Sequence, residues 1–256
     1  MSRDSGVIAA ALTPRGKRGD LDFGSSFELI DHLCRAGVRG IALLTAAGEY
    51  PAFTIDERTR LVYLGAKRSR APLIAGVGSE DLATSVGLAR DALAAGAEGV
   101  VLPPPLLLKY PREELLEYYL RFAAQVGGGS AIWIADAPAI APELMGTGRF
   151  AGVVGVDIAL PVEACAVPEL WVALDCARRT GNQARALALS ALADEFQQWM
   201  VRFAPLVAVK AATELRGIPM GALPVPLARA RLAALEEFRA WFLGWLPRAK
   251  ESAANA

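Results

Sequence analysis

The sequence predicts an α/β fold built around a parallel sheet. Through the first 160 residues, short apolar runs alternate with longer amphipathic segments, and most runs start about 30 residues apart, the length of a βαβ unit. The runs are apolar on both faces, as in strands that helices cover on both sides. A chain of 256 residues can form one such domain and bury a large core without disulfides or metals.

Six of these runs are predicted strands. They are Val7–Thr13, Gly40–Ala46, Pro72–Gly78, Gly99–Pro105, Ala131–Pro138 and Gly152–Ala159. A seventh strand has two alternative places, Val162–Val167 after Pro161 and, less favoured, Leu170–Leu174. No eighth strand is visible, so the strand series ends early.

Helical patterns fill the intervals between the strands. The first runs from about Asp22 to Ala36, and the second opens at Thr54 with Glu57 completing a capping box. The third opens at Ser79 or Glu80, and the fourth starts at Pro111. Gly37 and Gly96 are expected just past helix ends, and three C-terminal helices are predicted at Pro168–Arg179, Gln183–Phe203 and Val225–Leu246.

Composition and charge exclude several classes of function. The 27 Lys and Arg balance the 27 Asp and Glu, which argues against nucleic acid or an anionic membrane as a partner. His32 is the only histidine, so a multi-histidine metal site is impossible. The three cysteines show no CxxC spacing, which favours a reducing cytoplasm. The first residues do not read as a signal peptide, and no apolar run is long enough to span a membrane.

Several segments in order resemble the dihydrodipicolinate synthase/N-acetylneuraminate lyase family of (β/α)8 barrels. They include ALTPRGKRGDLD at 11–22, GVRGIALLTAAGEY at 37–50, IDERTRLV at 55–62, APLIAGVGSEDLATSVGLARDALAAGAEGVVLPPP at 71–105, IWIADAPAIAPEL at 132–144 and VAVKAATELRGIPMGALPVPL at 207–227. The resemblance predicts a TIM-type barrel that is incomplete, with six or seven strands and additional C-terminal helices. Residues 1–160 would form the βα repeats and residues 161–256 the closure segment and helices of one structural domain. The segment 160–168 is the expected cover for the exposed strand edge.

The resemblance also implies a chemistry in which a strand-six lysine forms a Schiff base with a keto acid. A strand-five tyrosine would move protons, and two threonine hydroxyls after strand two would bind the carboxylate. In this sequence the strand-two loop is Thr45-Ala46-Ala47-Gly48-Glu49, and the proton-relay position is Ala135. The paired tyrosines after strand four fall on Leu106 and Leu107, and the nearby arginine position falls on Ile140.

The lysine position falls on Asp157 if GVVGVDIALP matches strand six of the family. If that run instead matches strand eight, the lysine-bearing strand is absent. Neither alignment leaves a lysine at the site. The lysines of the chain are Lys17, Lys67, Lys109, Lys210 and Lys250. Lys210 matches a family position in the C-terminal helical region and is not expected to replace the lost amine.

Two interpretations of the remaining site residues stay open. Thr45, Ala46, Ala47, Leu107 and Ala135 are predicted to line an apolar pocket. Asp157, Asp136 and Glu49 are the candidate catalytic residues, because three carboxylates at strand ends could hold a hard cation such as Mg2+. The alternative, which is favoured, is that Glu49 caps its loop and the aspartates bind backbone N–H groups or face solvent.

The sequence therefore favours a non-catalytic homologue with a binding, structural or regulatory role. It is expected to need no cofactor and to form a homo-oligomer, a dimer or tetramer, or to associate with an active relative. A small-molecule ligand is compatible with this view, and its identity is not given by the sequence. The rival hypothesis is a diverged lyase or aldolase that acts on a small keto acid through Asp and Glu residues, with or without a metal.

Overall fold

The computed structural model describes residues 6–127 and 131–254. Within these ranges six strands and nine α-helices follow one another along the chain. The strands are β1 Ile8–Ala10, β2 Gly40–Leu43, β3 Leu73–Gly76, β4 Gly99–Leu102, β5 Ala131–Ile134 and β6 Gly152–Val153. The helices are α1 Phe23–Arg35, α2 Ile55–Arg68, α3 Leu82–Ala95, α4 Arg112–Val126, α5 Ala141–Gly146, α6 Pro168–Arg179, α7 Gln183–Met200, α8 Val207–Leu215 and α9 Arg229–Ala254. All six predicted strands are confirmed in place, each shorter than its apolar run.

The chain divides into two compact units. One is Gly40–Leu160, and the other combines the described residues up to Arg39 with those from Pro161 onward. The interpretation of the chain as one structural domain stays a prediction. Within residues 6–127 and 131–254, no helix has the length and apolar character needed to cross a bilayer.

The Gly40–Leu160 unit contains a parallel sheet in which β2 to β6 are neighbours in chain order. Ile41 pairs with Leu73, and Val100 pairs with Ile132. All residues of β2, β3 and β4 are buried, which explains their continuous apolar sequences. Because the strands are parallel, the loops that follow them gather at one edge of this sheet.

The helix starts in this unit follow from side-chain caps. The Thr54 side chain and Glu57 form the predicted capping box at the start of α2. The prediction for α3 was wrong by one or two residues, because Asp81 is its N-cap and accepts from the Thr84 N–H at 2.8 Å. Ser79 lies before the helix, where its hydroxyl accepts from the Asp81 N–H at 3.1 Å. Both bonds are present: the Ser79 hydroxyl forms the turn before the helix, and the Asp81 carboxylate caps the helix itself.

The other unit contains β1, α1 and the four C-terminal helices α6 to α9. Helix α6 has the predicted bounds Pro168–Arg179, and Pro168 occupies its first turn. Helices α7 and α9 share an aromatic core in which Phe196 lies 5.7 Å from Trp245 and 5.8 Å from Phe242, between ring centroids. This core supplies much of the apolar burial that holds the two longest helices together.

The possible seventh strand is formed at neither of its two alternative places within the described residues, which leaves the six strands of the predicted six or seven. Val162–Cys165 forms a short 3-10 turn, and Leu170–Leu174 lies inside α6. The turn nevertheless runs beside β1, where the Ala10 N–H donates to the Pro161 carbonyl at 3.3 Å. The Cys165 thiol accepts from the Leu12 N–H at 3.4 Å and donates to the Ala10 carbonyl at 3.3 Å. In a parallel sheet, the peptide groups of one residue bond to a carbonyl and an N–H on either side of the residue opposite. The Cys165 thiol makes the same two bonds, to the Ala10 carbonyl and the Leu12 N–H.

An ion pair holds the end of the same segment. The Arg216 guanidinium binds both carboxylate oxygens of Glu169, at 2.6 and 3.2 Å, and donates to the Ala166 carbonyl at 2.8 Å. His32 on α1 is half-buried within electrostatic reach of this pair. Burial, together with Arg216, lowers the pKa of His32 from 6.5 to about 4.

Candidate functional site

The candidate site lies at the carboxyl ends of β2 to β6 in the Gly40–Leu160 unit. This edge carries every residue that the sequence analysis proposed for catalysis or for the pocket. The geometry of each loop decides which of these residues can act together.

The loop after β2 is tightly folded. Leu44 and Glu49 both have positive φ values, 56° and 51°, which are uncommon for residues with a side chain. Between them, Ala46–Gly48 forms a 3-10 turn in which the Gly48 N–H donates to the Thr45 carbonyl at 2.9 Å. Glu49 ends this turn through its backbone N–H and is half-buried; its side chain makes no capping hydrogen bond to the following turn Tyr50–Ala52, and the capping role of its carboxylate stays a prediction.

Thr45 carries the hydroxyl group of the loop Thr45–Glu49. The residue is only 7% exposed, and its Oγ1 has no hydrogen-bond partner within the described ranges. Ala46 is exposed and Ala47 is half-buried, and neither side chain offers a hydrogen bond. The loop therefore presents methyl groups where the resemblance implies hydroxyl groups.

The loop after β4 is apolar and open to solvent. Leu106, Leu107, Leu108 and Tyr110 are 42%, 77%, 64% and 40% exposed. Leu107 was predicted to line a pocket, but in this structure most of its side chain faces solvent. The loop therefore forms an exposed apolar patch, which we call the β4 loop patch (residues 106–110).

Tyr119 of α4 reaches the ends of β4 and β5 and was not singled out for the site by the sequence. Its side chain is fully buried, and its hydroxyl donates toward the carbonyls of Leu102 at 3.3 Å and Ala135 at 3.4 Å. Burial raises the pKa of Tyr119, with smaller contributions from Tyr118 and Asp136. This phenol thus lies next to Ala135, the position where the resemblance implies a tyrosine, but it is sealed inside the protein.

The two candidate aspartates have different surroundings. Asp136 follows Ala135, is exposed and has a φ of 53°. Asp157 is half-buried, and its carboxylate accepts from the Val153 N–H of β6 at 3.0 Å. Asp157 therefore has the backbone-bonding role that the sequence analysis favoured for the aspartates.

The three carboxylates do not form a metal centre in this structure. Across residues 6–127 and 131–254, no group of three His, Cys, Asp or Glu side chains is arranged to hold a metal ion. A hard cation needs several oxygen ligands at 2.0–2.6 Å, roughly, around one point. The hypothesis of a three-carboxylate site at Glu49, Asp136 and Asp157 lacks this geometry.

Tyr50 and Arg58 form a buried pair beneath the loops after β2 and β3. The Arg58 guanidinium carbon lies 5.0 Å from the centroid of the Tyr50 ring, and its Nη2 donates to the Gly78 carbonyl at 2.7 Å. A side chain at position 78 would meet the Tyr50 hydroxyl at 2.4 Å, which explains the glycine there. Burial raises the pKa of Tyr50 to about 12, partly opposed by Arg58. The pair ties the two loops together, and the sequence held no local signal for it.

Comparison with known proteins shows which family this chain resembles. A model of the dihydrodipicolinate synthetase family matches residues 3–133. The 4-hydroxy-tetrahydrodipicolinate synthase of Heliobacterium modesticaldum is 38% identical over 120 residues, 46% of this chain and 39% of that protein. The corresponding enzyme of Acidothermus cellulolyticus is 34% identical over 146 residues, 54% of this chain and 47% of that protein. The chain thus spans less than half the length of these curated relatives.

Solved structures extend the likeness to nearly the whole chain, at the level of fold. A sialic acid aldolase from Ruminococcus gnavus has a TM-score of 0.84 at 18% identity, covering 96% of this chain and 99% of that one. Dihydrodipicolinate synthase from Aquifex aeolicus has a TM-score of 0.83 at 20% identity, covering 94% and 98%.

These observations define the chain first as an α/β protein of the TIM-barrel type, with an incomplete set of strands and additional C-terminal helices. The match over residues 3–133 then places it in the dihydrodipicolinate synthetase family. The predicted fold class and the predicted family are both confirmed.

Proposed function

We propose that this chain is a non-catalytic member of its family, with a binding, structural or regulatory role. Schiff-base chemistry needs an amine that can attack the keto acid and a group that can move protons. Four of the five lysines are exposed: Lys17 and Lys109 in loops, Lys67 on α2 and Lys250 on α9. The fifth, Lys210, is 2% exposed within α8.

Asp157 carries this proposal. It stands at the lysine position in one of the two alignments with the family, and its carboxylate is bonded to the backbone of its own strand. A carboxylate cannot form an imine, and this one is already used to hold the turn after β6. At the end of β5, Ala135 has only a methyl group at the relay position, and the phenol of Tyr119 is buried, so neither supplies the tyrosine hydroxyl that the family resemblance implies.

Borohydride trapping tests the proposal directly. The protein is incubated with pyruvate and sodium borohydride, and its intact mass is measured, with an active 4-hydroxy-tetrahydrodipicolinate synthase as the positive control. We expect the control to gain the mass of the reduced pyruvate adduct and this protein to gain none. A stoichiometric adduct on a single lysine would overturn the proposal, and Lys109→Met would show whether the exposed loop lysine forms it.

A diverged lyase is the second candidate function, and Asp136 is the observation that favours it. Its carboxylate is exposed at the end of β5 and within electrostatic reach of Tyr50 and Tyr119. If this function is correct, keto-acid turnover should be measurable and Asp136→Asn should abolish it. Turnover that survives Asp136→Asn would exclude this carboxylate as its source.

We also propose that the chain is cytoplasmic and self-associates through the β4 loop patch, as a dimer or tetramer. Its three cysteines, Cys34, Cys165 and Cys176, are unbridged, which fits a reducing compartment. Four neighbouring exposed apolar side chains are typical of an interaction surface. Association with an active relative through the same patch is the alternative.

A further inference from the structure

A groove lies on the surface between helices α2 and α3. It has a volume of about 590 Å3, and its lining comes from both helices: Ile55, Asp56, Thr59, Arg60 and Tyr63 on α2, and Asp91, Ala94 and Ala95 on α3. We call it the α2–α3 groove. Ile55 and Tyr63 are 43% and 48% exposed, so the groove presents apolar surface to solvent. Exposed apolar side chains that share one groove, rather than lying scattered, mark a candidate interaction surface.

A stripe of exposed side chains runs along α2 at this groove. Its members follow one another at spacings of four, three and four residues: Asp56, Arg60, Tyr63 and Lys67. This spacing keeps them within roughly 60° of arc around the helix. The charges are separated along the stripe, with Asp56 in the first turn of α2 and Lys67 in the last. The Lys67 Nζ lies 4.7 Å from the centroid of the Tyr63 ring, so this ring already faces one cation.

The stripe is complementary to itself when a second copy of α2 packs against it in the antiparallel direction. Asp56 and Lys67 have the same midpoint along the helix as Arg60 and Tyr63. A twofold axis through that midpoint sets Asp56 of each copy against Lys67 of the other, in two ion pairs separated by about 16 Å along the helix. The same axis sets the Arg60 guanidinium of each copy against the Tyr63 ring of the other, a favourable cation–π contact.

This charge order selects the occupant of the groove. A partner that carries a single sign of charge would meet a like charge at one end of the stripe, whereas a reversed copy of α2 meets an opposite charge at both ends. Asp91 lines the same groove as Asp56 and adds a second carboxylate for the incoming Lys67. We propose that the α2–α3 groove is a twofold interface between two copies of this chain.

The proposed interface is separate from the β4 loop patch and does not depend on whether the protein is catalytic. A tetramer of D2 symmetry uses two different twofold contacts, whereas a dimer uses one. The α2–α3 groove would therefore supply the second contact of a tetramer, or the contact of a dimer if the β4 loop patch forms none.

Two charge reversals and their mixture test the interface. Asp56→Lys places two ammonium groups against each other at both ends of the stripe, and Lys67→Glu places two carboxylates there. We expect each variant alone to have half the native molar mass, measured by light scattering after gel filtration at equal protein concentration. In an equimolar mixture, both ion pairs can form again between unlike copies. We therefore expect the mixture to regain the native mass.

The mixture separates a lost contact from a damaged fold, because mixing two misfolded variants restores nothing. Asp194→Lys makes the same change of net charge at an exposed aspartate of α7 and is the matched control, which should keep the native mass. Native mass in both single variants, or half the native mass in their mixture, would overturn the proposal. If only Leu107→Glu with Leu108→Glu lowers the mass, the β4 loop patch stands and the α2–α3 groove is excluded. A monomeric native protein would exclude both interfaces.

Discussion

A single sulfur atom bonds the backbone at the end of β1 and just beyond it, at Ala10 and Leu12. Cys165 is fully buried, and burial raises the pKa of its thiol to about 12, so the proton needed for donation to Ala10 is retained at any ordinary pH. The same sulfur accepts from Leu12, which lies 153 positions away along the chain. Sequence reasoning placed a cover at residues 160–168 but could not foresee this bond, because no local pattern marks a contact at that separation.

Substitutions at Cys165 should separate hydrogen bonding from packing. Cys165→Ala leaves a buried N–H and a buried carbonyl without this partner, so we expect a loss of about 2 kcal/mol in the free energy of unfolding. Cys165→Ser keeps a donor and an acceptor and should lose less. Urea unfolding gives both values, with Cys176→Ala as an exposed control that should match the native protein. A serine variant less stable than the alanine variant would mean that the thiol only fills space.

His32 is the second residue whose chemical behaviour, here its pKa, is set by its surroundings in the fold. The sequence analysis used His32 only to exclude a multi-histidine site, and the structure makes it a half-buried residue within electrostatic reach of Arg216, Glu169, Arg35 and Lys250. Its folded pKa, about 4, lies below the unfolded value near 6.5. Between these values the unfolded chain holds a proton that the folded chain lacks, so stability falls as the pH drops through this window.

Replacing His32 should flatten this pH dependence. We expect His32→Gln to lose less stability than the native protein between pH 7 and pH 4.5, measured as the urea midpoint at each pH. Burial raises the pKa of Glu169, but its bonds to Arg216 outweigh this and hold the pKa below its ordinary value; His32 makes the smallest contribution, so Glu169 titrates similarly in both proteins. Parallel curves for the two proteins would show that His32 does not contribute to acid sensitivity.

At the scale of elements, prediction succeeded where the determining interactions are local. The bounds of α6 and the cap of α2 follow from Pro168, Thr54 and Glu57, residues that act within one helical turn. The sequence analysis did not predict two helices, α5 and α8, that begin without a side-chain cap. The six-residue helix α5 and helix α8, whose N-cap Leu206 has a φ of 69°, have no conventional cap in the sequence.

The capping box of α2 offers a quantitative test at this scale. The Thr54 hydroxyl accepts from the Glu57 N–H at 3.2 Å, and the Glu57 carboxylate accepts from the Thr54 N–H at 2.8 Å. We expect Thr54→Ala to cost about 1 kcal/mol in the free energy of unfolding. Thr54→Ser keeps the hydroxyl and should stay close to the native value. A loss of the same size in both variants would assign the effect to the lost methyl group.

At the scale of the whole molecule, the sequence predicted the family and the fold class. It did not predict the side-chain contacts that join separate elements at the candidate site. The positions of Ala135 and Asp157 followed from strand ends alone. The contacts of Tyr119 with β4 and β5, and of Arg58 with Tyr50 and Gly78, join separate elements and depend on packing. Such contacts have no signature in one sequence, because each partner alone resembles an ordinary core or surface residue.

Self-association is the prediction that belongs to this scale. We expect Leu107→Glu with Leu108→Glu to lower the molar mass measured by light scattering after gel filtration, because two carboxylates would be buried in the proposed interface. Val201→Glu, at a side chain that is 83% exposed elsewhere in the chain, is the matched control and should keep the native mass. An unchanged mass in the double variant would exclude the β4 loop patch as the interface.

The thiol beside β1 bears on how such folds tolerate shortening. An open strand edge invites another chain to add to it, and proteins usually prevent this with a further strand, a charge or a proline. Here a side chain of one turn performs the two functions of a missing peptide unit, offering a proton and a lone pair at the required spacing. The backbone beside β1 is thus covered by one buried side chain of a short turn, without a further strand at this position.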